Sequence, residues 1–130
     1  MEAINLSGIT FIDDLNNLAL ETGQVVTIKH HPDLDDNEYA LGVHLESGKQ
    51  IGWIPKQDTI RRYGEEQKKL GNDDAVRMQR DRWVTAGIIR DYAWTDLYRN
   101  HITPTGHINR IQTNYETGEI QSLSVTFNYY

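Results

Sequence analysis

Between Gln24 and Ile54 three short apolar runs alternate with turn chemistry, and that alternation leaves few folds open. Gln24–His30 (QVVTIKH) is rich in β-branched residues, as half-buried strands are. Pro32–Glu38 (PDLDDNE) is made of turn residues throughout. Tyr39–Leu45 and Gln50–Ile54 flank the tight turn Glu46-Ser47-Gly48-Lys49, so they read as a hairpin that Pro55 stops. A chain with this spacing commits early to an antiparallel sheet.

The remaining segments extend that sheet. His107–Tyr115 and Glu119–Tyr130 read as a closing hairpin around Glu116-Thr117-Gly118, with Leu123, Val125, Phe127 and Tyr129 sharing one face. Ile4–Ile12 reads as a first strand with Gly8 marking a bulge or a close approach, and Trp83–Tyr92 (WVTAGIIRDY) as another strand. Asp13–Leu20 suits a helical turn, with Leu15, Leu18 and Ala19 inward. Asp58 is placed to cap a helix over Thr59–Leu70, and the charged stretch Asp74–Arg82 fits either a second helix or a mobile loop. The pattern implies a single mainly β domain of six or so short strands with one or two helices, a small curled or barrel-like sheet, with a charged stretch around residues 64–82.

Size and composition narrow the class. At 130 residues one domain is expected, large enough to bury a core without staples. There is no cysteine, which excludes disulfides, thiolate metal sites and cysteine nucleophiles, and makes a cytoplasmic, reducing setting the expectation. No basic and apolar leader opens the sequence, and no apolar run approaches a membrane span. The net charge of −6 is uneven: −7 over residues 1–55, +3 over 56–110, and −2 over the last twenty. A basic footprint for nucleic acid could come only from the middle third.

Catalytic and metal motifs are missing from the sequence. None of Ser7, Ser47, Ser122 and Ser124 sits in a Gly-x-Ser-x-Gly elbow, and no glycine-rich loop leads into a Lys-bearing helix. His30, His31, His44, His101 and His107 show no metal-ligand spacing. Asp33-Leu34-Asp35-Asp36-Asn37 begins like a calcium loop, but Glu38 replaces its glycine and His44 its bidentate acid. No enzyme activity, metal or cofactor is expected.

One constellation does carry binding chemistry. Arg77, Arg80, Arg82, Trp83, Arg90, Tyr92, Trp94, Tyr98 and Arg99 fall close together. Arginine pairs with phosphate and stacks on bases, and Trp and Tyr offer flat faces to unstacked bases. The same residues also fit a structural role, with the tryptophans in the core, the arginines solvated, and Asp81, Asp91 and Asp96 diluting the field.

The order of motifs from Ser7 to Lys56 resembles the HIRAN domain, a module of Snf-type fork-remodelling translocases and of many bacterial and phage proteins. The resemblance rests on Gly8-Ile9-Thr10-Phe11, on Gly23 with Val25-Val26-Thr27-Ile28, and on Lys29-His30-His31-Pro32. It continues in Ala40-Leu41-Gly42-Val43, Ser47-Gly48 and Ile51-Gly52-Trp53-Ile54-Pro55-Lys56, and Leu123–Phe127 is similar to the family's closing strand. The resemblance implies a small six-stranded OB- or SH3-like barrel with a helix capping one end, and a pocket for the 3′-terminal nucleotide of single-stranded DNA. Carried over, the pocket residues are Thr10, Phe11, Asp36, Asn37, Trp53 and Lys56, with Arg80, Arg82 and Arg90 as a secondary electrostatic contact. Phe11 keeps one member of the family's aromatic pair, and Asp36-Asn37 stands where the family has Tyr-Asp. The expected partner is single-stranded or end-exposed DNA. The alternative is a protein-interaction module of phage or mobile-element type, whose acidic N-terminal half faces a basic protein.

Overall fold

The computed structural model describes residues 3–33, 39–55 and 64–128, without the side chains at 79, 80, 82 and 83. Among these residues six strands form one antiparallel sheet: β1 (Ala3–Asn5), β2 (Val25–His31), β3 (Ala40–Leu45), β4 (Gln50–Trp53), β5 (Thr105–Thr113) and β6 (Ile120–Phe127). Their order across the sheet is β1-β6-β5-β2-β3-β4. The expected hairpins are present: β3 pairs with β4, and β5 with β6. The mainly β expectation is borne out. The sheet curls without closing as a continuous barrel.

The segment just after β1 meets β4 at one isolated residue pair. Ser7 N–H donates to Trp53 O at 2.9 Å and Trp53 N–H to Ser7 O at 3.0 Å. The reason lies in the next residue. Gly8 has φ +66°, in the left-handed region where glycine carries no Cβ penalty, and the chain turns away there. The strand expected over Ile4–Ile12 is therefore corrected: β1 is short, and Ile9–Phe11 is a 3₁₀ turn. A second 3₁₀ turn, Leu15–Asn17, buries Leu15, and Asn16 Oδ1 accepts from Ile120 N–H at 2.7 Å, tying this segment to β6.

The second correction concerns Trp83–Tyr92, which is not a strand. It belongs to a helix, α1, over Asp73–Thr95, whose first half takes in Asp74–Arg82. Local chemistry explains the start. Residues 64–69 form a short helix that ends in a left-handed Gly71, with Gly71 N–H on Lys68 O and Asn72 N–H on Gln67 O. Asn72 then caps α1 by accepting from Ala75 N–H at 3.2 Å, and Asp73 and Asp74 complement the helix dipole. Thr85, Ala86, Ile89 and Ala93 recur at helical spacing and are buried. Ala86, Ile89 and Ala93 join Val26, Ile28, Leu41, Val43, Leu123, Val125 and Phe127 in one core. The Asp58 cap and the first five residues of the helix expected over Thr59–Leu70 fall outside the described residues, as does Tyr129, and the helix is present over 64–69.

Candidate functional site

Opposite parities of β2 send consecutive histidines to opposite faces, and each becomes the centre of an aromatic group. On the outer face His31, Gly42, His44 and Trp53 come together from β2, β3 and β4. Gly42 lies opposite Trp53, and a Cβ at Gly42 would stand 2.5 Å from His31 Nε2 and 3.0 Å from His44 Nε2. Only glycine leaves room for the two imidazoles there. Their planes are parallel within 4°, the centroids are 5.0 Å apart, and the Nε2 atoms are 2.8 Å apart. Those distances require the rings to meet end to end, so they share an N–H···N bond instead of lying face to face. His44 Nδ1–H donates to Gly48 O at 3.0 Å, which leaves its Nε2 to accept from His31 Nε2–H.

His31 is held below the usual histidine range, first by burial, then by His44, Lys29 and His30, with Asp33 opposing. A lowered folded pKa means that the unfolded chain binds the proton more readily, so this stabilisation is complete above the ordinary value and declines as pH falls. Thermal melts from about pH 7.5 to about pH 5.5 are expected to show a falling midpoint. In His31→Gln that decline is expected to flatten. Parallel curves for the two proteins would contradict the role given to His31.

Trp53 joins this face to the opening turn. His31 meets the Trp53 ring edge-on at 4.8 Å, and a Cβ at Gly8 would lie 2.5 Å from Trp53 Cδ1. Leu6 and Ile9 crowd Gly52 on the core side, so the turn grips β4 from both faces. Phe11 N–H bonds Gly8 O at 3.1 Å, and the Phe11 ring, 85% exposed, projects from the same turn with Thr10 exposed beside it. Thr10, Phe11 and Trp53, expected as pocket residues, thus come from adjoining segments. Asp36, Asn37 and Lys56 lie outside the described residues, and Arg80 and Arg82 are placed on α1 without their side chains.

The second group forms on the core side of β2, at the edge of the fold. His30 meets the Trp94 ring edge-on at 4.5 Å, and its Nδ1 is hydrogen-bonded to the Tyr98 hydroxyl. Trp94 and Tyr98 stack at 5.0 Å and 19°, and Tyr39 approaches Trp94 edge-on at 6.1 Å. Arg90 donates from a guanidinium nitrogen to Tyr39 O at 3.3 Å. It therefore holds the segment entering β3 against α1 and lies away from the Trp53 face. Sequence reasoning brought Trp94, Tyr98 and Arg90 into view but missed His30, His31, His44 and Tyr39. The signal available was the His30-His31 pair at a strand end, where alternation must split the rings between faces.

No family model matches this chain, and no curated protein does. Among solved structures the fold is similar to the HIRAN domain of human HLTF, with a TM-score of 0.50 and 12% identity. The likeness spans 97% of this chain and 73% of that one, and at this identity it is a likeness of fold.

Proposed function

We propose that the chain is a non-enzymatic binding module that recognises single-stranded nucleic acid, above all an exposed 3′ end. The observation that carries this reading is the seating of the Gly8–Phe11 turn on Trp53 within a HIRAN-like fold. It ties the turn that bears the exposed Phe11 ring to the strand that bears Trp53, and unstacked bases need aromatic surfaces. Asp36, Asn37 and Lys56 complete the proposed pocket, Asn37 accepting from a terminal hydroxyl and Lys56 meeting phosphate. Arg80 and Arg82 supply a weaker electrostatic contact, whereas Arg90 is engaged at Tyr39 O on the other face. Among the described residues no cluster of three histidine or acidic groups could hold a metal ion.

Short labelled DNAs with free and blocked 3′ ends test the reading at low salt. The free end is expected to bind more tightly, and Phe11→Ala or Trp53→Ala to weaken it about tenfold, the loss of one stacked base. Indifference to every DNA form would end the proposal. The charge of −7 over residues 1–55 favours a second reading, a module for a basic protein partner. A stoichiometric protein partner released by neutralising Asp33, Asp35 and Asp36 would support that reading over DNA.

A further inference from the structure

We propose that the aromatic array at the end of α1 is a second base-stacking platform, on which an unpaired nucleobase continues the stack built by Trp94 and Tyr98, with Arg99 meeting the adjoining phosphate. The proposal rests on the nucleic-acid reading above and places a site away from Trp53.

The platform begins with spacing. Trp94 and Tyr98 are four residues apart, so a helix brings them to one side. Here the helix changes pitch: Asp96–Asn100 is a π-helical turn, and Asp96 O accepts from Ile102 N–H at 2.7 Å as the chain leaves through a left-handed His101. Single π turns are uncommon and recur at functional sites. The rings that result are locked by three separate parts of the chain: the end of β2 through His30, the entry to β3 through Tyr39, and α1 with its π turn. An array held this way loses little conformational freedom when a ligand arrives.

The arrangement leaves Tyr98 more than half exposed. Trp94 stacks on Tyr98, and His30 takes its hydroxyl and meets its ring edge-on at 5.6 Å. No other ring or hydrogen-bond partner meets Tyr98 among the described residues, and it is 56% exposed. Tyr39 is also more than half exposed, so the array forms a surface and not a piece of core. Arg99 follows Tyr98 in sequence, is exposed, and has no ion pair among the described residues. The nearest acid in sequence, Asp96, has its carboxylate engaged by Asn100 Nδ2 at 3.1 Å.

The ring geometry selects the occupant. A cage for an ammonium group needs walls with a gap between them, whereas Trp94 and Tyr98 lie nearly parallel at 5.0 Å with no such space. A flat, uncharged ring extends the stack directly, and the neighbouring guanidinium fits the phosphate attached to it. In a duplex the bases already stack on one another, so the ligand is single-stranded.

The test uses the full chain and oligothymidylate of about ten nucleotides, long enough to reach one such site. Tyr98→Leu keeps apolar bulk but removes the flat ring, and binding is expected to weaken about tenfold. Tyr98→Phe keeps the ring and is expected to stay within about twofold. Arg99→Gln is expected to lower the slope of log affinity against log salt by about one. If Tyr98→Leu binds like the native chain while Phe11→Ala and Trp53→Ala still weaken binding, the platform is wrong and the Trp53 site stands. If the native chain binds no oligonucleotide in any form, both proposals fail.

Discussion

Gly106→Ala is expected to cost about 3 kcal/mol of folding stability, the upper part of the range for overpacked sites. A Cβ at Gly106 would lie 2.2 Å from Thr126 O and 2.7 and 3.0 Å from Phe127 ring carbons. Neither neighbour can yield easily. Phe127 is fully buried in the core, and Thr126 belongs to the β5–β6 ladder, where Gly106 lies opposite Phe127. Gly106 also lies opposite Val26 of β2, so a shift of its backbone disturbs the pairing on both sides of β5. Gly23→Ala is the control. Gly23 has φ +88° and open space around its missing Cβ, so the change is expected to cost only left-handed strain, about 1 kcal/mol. Urea midpoints at constant slope measure both. A loss at Gly106 no larger than that at Gly23 would show that β5 and β6 do not pack as described. For a domain whose whole stability is about 5–15 kcal/mol, the difference is easily resolved.

The sequence showed its hairpins and hid its helix. The β3–β4 and β5–β6 pairs were legible because turn chemistry and apolar alternation agree there: Glu46–Lys49 and Glu116–Gly118 fix the turns. Over Trp83–Tyr92 two signals conflict. Val84, Thr85, Ile88 and Ile89 are β-branched and suggest a strand, but Ala86, Ile89 and Ala93 recur at three and four residues, and packing of that stripe decides the outcome. The Asn72-Asp73-Asp74 cap was the local clue that the periodicity needed. At Gly8 the sequence marked a close backbone approach, but the approach ends β1 instead of bulging it, and the neighbour is Trp53 from a segment 45 residues away. The candidate site was legible only in its parts. Thr10, Phe11 and Trp53 could be named from motif order, whereas the His31–His44 bond and the His30–Trp94–Tyr98 group depend on strand register and on a helix where a strand was expected.

Ile89→Ala is expected to remove about 3 kcal/mol, within the range for emptying a buried aliphatic site, while Val84→Ala is expected to cost less than about 0.5 kcal/mol. The contrast follows from helical geometry. Ile89 is 2% exposed and lies on the stripe with Thr85, Ala86 and Ala93, whereas Val84 is 45% exposed. The neighbours of Ile89 in that stripe are small, so they cannot collapse far into the space left by its side chain, and the cavity term persists. Equal losses at Val84 and Ile89 would therefore contradict the helix. The consequence reaches the surface, because the same helix presents Trp94 and leads into the turn that carries Tyr98. Ile89→Ala should loosen the Trp94–Tyr98 stack before the protein unfolds globally, visible as a shift in tryptophan emission at denaturant concentrations where the sheet signal in circular dichroism is still native.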